Sequence, residues 1–138
     1  MKICIVVANY YPNISNDLFK GASKVLEKNN IDNYDKILAP GVFEIPVIIA
    51  RKIDIYDAFI ALGCVIKGQT PHFQLISEAT INSLINLSIN TKKPIGNGIL
   101  TCINKKQALI RSNPKKKDKG GESAKAVLSV LGILHKWF

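Results

Sequence analysis

The sequence lacks the features of a membrane protein, a disulfide-rich domain or a low-complexity chain. Its strongly apolar stretches cover only a handful of residues, too few to span a bilayer. Its three cysteines, Cys4, Cys64 and Cys102, lie far apart, each among apolar residues. This spacing predicts neither a disulfide framework nor a zinc site, and the expected state is three reduced thiols on buried strands.

The first residues also lack the pattern of a secretory signal. They contain one lysine and a short apolar run, and Asn9-Tyr10-Tyr11-Pro12 follows where a small-residue cleavage site would be needed. The segment instead predicts the first strand of the fold, and we expect a cytoplasmic protein.

The composition is that of a globular chain with a basic surface. With 138 residues, of which 47% are hydrophobic, it predicts a single domain over residues 1–138 with its own core. The formal net charge of +9 indicates an anionic partner, and it leaves nucleic acid, acidic lipid and phosphorylated metabolites open. Part of the excess lies in one basic run at residues 115–119.

Short apolar runs alternate with amphipathic segments along the whole chain. The runs predict buried strands at residues 3–8, 34–39, 57–63 and 94–101. The segments between and after them predict five helices: one capped within residues 13–15 and ending at Asn29-Asn30, one at 44–53, one opened by Pro71, one at 105–111, and one from about 121 to the C-terminus. This order predicts an α/β fold, a three-layer α/β/α sandwich around a four-stranded parallel sheet.

In such folds ligands bind beyond the carboxyl ends of the strands, so the residues that follow each strand are candidates for a site. Tyr10 and Tyr11 follow the first strand, where they could stack on a planar ring or simply cap the core. Glu44 follows the second, either as a site carboxylate or as an ordinary acidic residue at a helix N-terminus.

The segment after the third strand is the most informative. A glycine-containing loop runs into a helix N-terminus, where free backbone N–H groups can hold an anion, and Gln69 and Thr70 add side-chain donors. His72 lies in the first turn of that helix, as a proton-transfer group or as an ordinary surface histidine. His135, beside Trp137, is expected to be a surface histidine.

Basic residues follow the fourth strand. Arg111, Lys115 and Lys119 could approach a phosphate, or could belong to a solvated basic loop. The chain has no phosphate-binding P-loop, dinucleotide fingerprint, serine elbow or paired carboxylates. Spacing alone therefore indicates an α/β enzyme that binds a planar, anionic ligand.

Four sequence blocks resemble the lumazine synthase family. Residues 40–46, Pro-Gly-Val-Phe-Glu-Ile-Pro, are similar to its Pro-Gly-Ala-Phe-Glu-Ile-Pro motif, and residues 61–73 match a block that ends in Thr-Pro-His-Phe. Residues 94–101 with Gln107-Ala108 match a third block. Arg111 and the region from Lys115 to Glu122 fit a fourth in spacing. The resemblance covers nearly the whole chain and implies a flavodoxin-like sandwich.

The resemblance also implies a role for each matching residue. His72 is expected to transfer protons, and Tyr10 to stack on a uracil ring. The other residues expected to bind the aminouracil are Val42, Phe43, Glu44, Cys64, Val65, Ile66 and Asn97, the last supplied by a neighbouring subunit. Those expected to hold the phosphate of the second substrate are Gln69, Thr70, Arg111 and Lys119, with Lys115 as weaker support. Several positions depart from the pattern that the resemblance implies, among them Tyr11, which replaces a usual Asn, and Asn97, which replaces a Phe that is often present.

The activity that the resemblance implies is a transferase reaction in riboflavin biosynthesis. It condenses 5-amino-6-ribitylaminouracil with 3,4-dihydroxy-2-butanone 4-phosphate to give 6,7-dimethyl-8-ribityllumazine. No metal or organic cofactor is implied, and the expected assembly is a homopentamer, or a multiple of pentamers, with shared sites. The competing hypothesis is a non-catalytic flavin- or lumazine-binding module on the same fold. Nucleic-acid and membrane binding are not expected, because the basic run lacks interleaved aromatic residues and a recognised motif.

Overall fold

The computed structural model describes residues 1–133, and its centre is a four-stranded parallel sheet. The strands are β1 (Ile3–Ala8), β2 (Tyr34–Ala39), β3 (Ala58–Ile66) and β4 (Ile95–Cys102). Their order across the sheet is β2-β1-β3-β4, with every neighbouring pair parallel. The middle of the sheet is therefore formed by β1 and β3. The two longest strands, β3 and β4, lie side by side.

Helices cover both faces of the sheet, which confirms the three-layer α/β/α sandwich. The helices are α1 (Pro12–Lys28), α2 (Ile45–Arg51), α3 (His72–Thr91), α4 (Lys105–Ser112) and α5 (Lys119–Val130). A single turn of 3-10 helix at Val42–Glu44 precedes α2. Helices α1, α4 and α5 pack on one face, and α2 and α3 on the other.

The central strands are apolar throughout because each face of the sheet has its own core. Along β1, Ile5 and Val7 point to the face covered by α1, whereas Cys4 and Val6 point to the opposite face. The long helix α3 buries Leu84 in the second core, with Phe73, Ile76 and Leu87 partly buried against it. The three cysteines are free and buried on β1, β3 and β4, as expected.

Strand β3 begins one residue later than predicted, at Ala58, and continues three residues past the predicted end at Gly63. Ladder pairs with β4 extend as far as Ile66 and Cys102, so Cys64, Val65 and Ile66 belong to the strand and not to the loop. The predicted end of β3 at Gly63 is therefore wrong. Residue 63 is glycine for a packing reason, since a Cβ there would approach Val42 Cγ1 to 2.6 Å.

The predicted cap of α1 is wrong. The helix begins at Pro12 with Tyr11 at the N-cap, and no side chain caps it. Proline at the first helical position has no N–H that needs a partner, and its ring fixes φ near the helical value. These two properties explain why α1 starts earlier than predicted. The hydroxyl of Ser15 instead donates to the carbonyl oxygen of Ala8 at 2.6 Å, so it ties the helix to the end of β1.

Helix α2 begins and ends inside the predicted range, while α5 begins at Lys119, earlier than predicted. The carboxylate of Asp118 accepts from the N–H of Gly121 at 3.2 Å and caps α5, which therefore begins two residues before the expected start. Helix α5 ends at Val130, short of the C-terminus. The last part of the predicted helix, with His135 and Trp137, lies outside the described residues. None of the helices in residues 1–133 is long and apolar enough to cross a membrane.

Candidate active site

The order of the strands creates a crevice at the carboxyl edge of the sheet. From β1 the chain moves outward to β2, returns to β3 on the other side of β1, and then continues outward to β4. The connections that leave β1 and β3 therefore diverge, and a gap opens between the ends of these two strands, which is where open α/β sheets bind ligands.

A cavity of about 450 Å³ occupies this crevice. It lies among the segments that follow β1 and β2, together with the end of β3 and the first turn and a half of α3. Its lining residues are Tyr10, Tyr11, Gly41, Val42, Phe43, Glu44, Cys64, Val65, Ile66, His72 and Ile76. The volume is in the range of ordinary small-molecule sites, and most of the lining side chains are apolar or aromatic.

The two tyrosines lie on a turn that is held at both ends. The N–H of Asn9 donates to the carbonyl of Ala39 at 3.1 Å, and the N–H of Ser15 donates to the carbonyl of Tyr11 at 2.9 Å. Tyr10 is 71% exposed and Tyr11 is half-buried. Their ring centroids lie 4.9 Å apart, with an interplanar angle of 80°. This edge-to-face arrangement leaves a large exposed aromatic surface on Tyr10, which is free to meet a ligand.

The Val-Phe-Glu segment forms a wall of the cavity through its single turn of 3-10 helix. Val42 is buried in the second core, whereas Phe43 is 58% exposed. Glu44 is the N-cap residue of α2, and its N–H donates to the carbonyl of Gly41 at 3.3 Å. The buried valine thus holds the turn on the sheet, while its neighbours present an aromatic ring and a carboxylate to the cavity.

His72 is exposed and is the first residue of α3. Its backbone N–H donates to Thr70 Oγ1 at 3.4 Å, and the next residue, Phe73, packs on the core. The helix start is therefore fixed on the sheet while the imidazole stays accessible to a bound ligand. Gln69 and Thr70 lie exposed in the preceding loop and are not among the residues that line the cavity.

The end of β3 supplies another wall. Cys64 is only 7% exposed, and burial raises the pKa of its thiol to about 12, with the neighbouring Cys102 as the next cause. The thiol therefore stays protonated at neutral pH, and it contributes an uncharged surface rather than a nucleophilic thiolate.

Three of the expected binding residues lie away from the cavity of their own chain. Arg111, on α4, lies against the thiol of Cys102 in the opposite layer from α3; burial raises the pKa of that thiol, and the guanidinium partly offsets the effect. Lys119 forms an ion pair with Glu122 at 3.0 Å. Asn97 is exposed on the edge strand β4, where its Oδ1 accepts from the N–H of Ile99 at 3.1 Å.

The structure thus brings together His72 and seven of the eight residues expected around the aminouracil. It separates them, within one chain, from Asn97, Arg111 and Lys119. Tyr11, for which the sequence left a stacking role or a cap of the core open, also lines the cavity. Ile76 lines it too, although the sequence predicted no site role for it, and it could have been found from its helical spacing to His72.

A parallel α/β sandwich with an aromatic cavity at its strand crossover, and an imidazole at the first turn of a cavity helix, defines a small-molecule α/β enzyme. The chain belongs to the 6,7-dimethyl-8-ribityllumazine synthase family, whose model matches residues 1–135.

Curated proteins of that name are similar to almost the whole chain. One from Bartonella bacilliformis is 41% identical over 135 residues, which cover 95% of this chain and 88% of the relative. One from Agrobacterium fabrum is 40% identical, with 97% and 95% covered. One from Novosphingobium aromaticivorans is 38% identical over 138 residues, with 99% and 98% covered.

The protonated state of Cys64 generates the first prediction. Because burial raises the pKa of the Cys64 thiol to about 12 and so lowers its thiolate fraction at neutral pH, iodoacetamide should modify it very slowly in the folded protein. The rate should keep rising with pH beyond 9, and peptide mass spectrometry of timed samples would follow it.

The variant that tests the same prediction by activity is Cys64→Ala. It should leave turnover within about tenfold of the wild type, because no covalent step uses the thiol. Rapid alkylation of Cys64 at pH 7, or loss of turnover beyond a hundredfold in a folded Cys64→Ala protein, would contradict this view of the site.

Proposed function

We propose that the chain catalyses the condensation of 5-amino-6-ribitylaminouracil with 3,4-dihydroxy-2-butanone 4-phosphate to 6,7-dimethyl-8-ribityllumazine, as a transferase of riboflavin biosynthesis. The observation that carries the proposal is the cavity itself. It gathers Tyr10, the Val42–Glu44 turn, the end of β3 and His72, all from motifs that match the family. The non-catalytic binding module has no comparable observation in its favour.

The aminouracil occupies the aromatic part of the cavity in this proposal. Its planar ring stacks on Tyr10, whose ring is largely exposed. The apolar end of β3 and the Val42–Glu44 turn close the other sides, and Glu44 supplies an acceptor for ring N–H or hydroxyl groups. The site would therefore recognise the aminouracil by shape, with few polar contacts.

The reaction needs orientation and proton movement more than a nucleophile. The ring amine attacks the ketone, water leaves to give an imine, phosphate is eliminated, and ring closure releases a second water. His72, exposed at the start of α3 and lining the cavity, is the group that moves protons during these steps. Holding the two substrates side by side supplies much of the remaining acceleration.

We infer that the phosphate-binding residues come from two subunits. Gln69 and Thr70 lie immediately before α3, where the free N–H groups of the helix start also favour an anion. Arg111 and Lys119 lie in the layer of α1, α4 and α5 of their own chain, so a neighbouring subunit would supply them, together with Asn97.

A homopentamer with shared sites accounts for this arrangement, since a ring repeats one interface between unlike faces of each subunit. Large apolar side chains on α2 and α3 support an interface there: Val47, Leu75, Ile85 and Ile89 are each more than half exposed. The buried free thiols on three strands fit a reducing compartment such as the cytoplasm. That residues 1–138 form one lumazine synthase domain also stays a prediction.

His72→Ala should lower turnover about 100-fold or more without abolishing it, because the imidazole moves protons while orientation survives. Steady-state assays that follow lumazine absorbance would measure the loss, with fluorescence titration to show that the product still binds. Gln74→Ala, an exposed change two residues along the same helix, is the control and should keep wild-type turnover. Complete loss of turnover with folding and product binding intact would show that orientation alone contributes nothing.

Arg111→Ala should mainly raise the KM for the butanone phosphate, by about tenfold or more, because a charged two-point contact to the phosphate is lost. The KM for the aminouracil should change little. Arg51→Ala removes the same charge from exposed α2 and serves as the control. An unchanged KM for the butanone phosphate would remove Arg111 from the site.

The same two variants test whether the site is shared. If His72 and Arg111 of one site come from different subunits, mixing unfolded His72→Ala and Arg111→Ala chains in equal amounts and refolding them gives intact residues at roughly a quarter of the sites. At butanone phosphate concentrations well below the wild-type KM, where Arg111→Ala is about tenfold less active, activity of the mixture should then exceed that of either variant refolded alone. Activity that never exceeds the parents, in assemblies shown to be mixed, would indicate sites built within one chain.

A further inference from the structure

Tyr11 lines the cavity. The sequence leaves it as a stacking residue or a cap of the core, and the proposed reaction gives it no part. Its ring meets that of Tyr10 edge to face, with 4.9 Å between centroids, and its other side packs on the core beneath α1.

The backbone around Tyr11 leaves it little freedom. Pro12 at the first position of α1 restricts the preceding residue, Tyr11, to extended backbone, and the carbonyl of Tyr11 accepts the N–H of Ser15. The Ser15 hydroxyl in turn donates a hydrogen bond to the carbonyl of Ala8 at the end of β1. The ring is therefore held from its backbone and from the core, and it can fix the orientation of the exposed Tyr10 ring.

The phenol of Tyr11 also remains a hydrogen-bond donor. Its pKa lies above the ordinary value of 10.0, chiefly because of burial and then because of Cys64 and Tyr10. A neutral O–H is therefore present at the cavity wall over the whole physiological range, next to the buried end of β3.

We propose that Tyr11 is a second ring-binding residue: with Tyr10 it forms a preorganised aromatic pair, and its hydroxyl donates a hydrogen bond to the heteroaromatic substrate. This rests on the proposed function and deepens it, since it assigns the aminouracil and lumazine rings, but not the butanone phosphate, to this residue. Preorganisation favours binding because no side-chain freedom has to be lost on association.

The test compares Tyr11→Phe and Tyr11→Leu by fluorescence titration with purified 6,7-dimethyl-8-ribityllumazine. Tyr11→Phe keeps the ring pair and loses the donor, so the Kd should rise about fivefold. Tyr11→Leu loses both, so the Kd should rise about 30-fold. The KM for the aminouracil should follow the same order, while the KM for the butanone phosphate stays within about twofold.

Tyr34→Phe and Tyr34→Leu are matched controls at the amino end of β2, where the hydroxyl contacts Glu27 at 3.2 Å. They should bind lumazine as the wild type does. Unchanged lumazine binding in both Tyr11 variants would overturn the proposal. An equal rise in the KM of both substrates would also overturn it, because it would show a merely structural role.

The outcomes also separate this inference from the proposed function. A wild-type protein that binds lumazine more tightly than its Tyr11 variants, but does not form it from the two substrates, would support the ring-binding role and refute catalysis. A wild-type protein that neither binds nor forms lumazine would overturn both.

Discussion

The pairing of β1 with β3 in the middle of the sheet is the constraint on which the site depends. These two strands are buried on both faces. Their parallel register pairs Ile3 with Ala58 and Val7 with Leu62, so the end of β1 lies beside the second half of β3. Because the chain leaves them in opposite directions, no connection can fill the gap between their ends. The Tyr10-Tyr11 turn and the Cys64–Ile66 segment face each other there as a consequence of topology.

Packing beneath the cavity then makes its walls rigid. Val42 occupies the space that a side chain at residue 63 would need, so the Gly63 position and the 3-10 turn are fitted to each other. Phe73 anchors the start of α3 on the same core. The side chains offered to a ligand, Tyr10, Phe43 and His72, are exposed, but each precedes or follows a residue that is buried or half-buried. The site thus combines exposed ligand-binding groups with a scaffold that has little freedom to move.

The sequence predicted the three layers, the order of strands and helices along the chain, and most of the residues that line the cavity. It could do so because apolar periodicity and motif position determine which side chains reach the carboxyl edge of the sheet. It failed at boundaries that tertiary contacts decide. Gly63 has the local appearance of a strand end, and only the ladder with β4 shows that β3 continues to Ile66. Ser15 looks like a cap, yet its hydroxyl is engaged with β1. The separation of Arg111 from His72 follows from which helices share a layer, which no local pattern contains.

The resemblance to the family implies Asn at position 11 and often Phe at position 97, whereas this chain has Tyr11 and Asn97. An aromatic residue is present at 11, inside the cavity of the chain, and absent at 97, on the exposed edge strand that we assign to the neighbour's site. An aromatic wall contributed by the same chain is positioned by covalent connection to β1 and by the Pro12 start of α1. One contributed across an interface is positioned only as well as the subunits dock. With an aromatic residue at position 11 and none at position 97, recognition of the ring in the proposed site would therefore depend less on assembly, while phosphate binding through Arg111 would still require it.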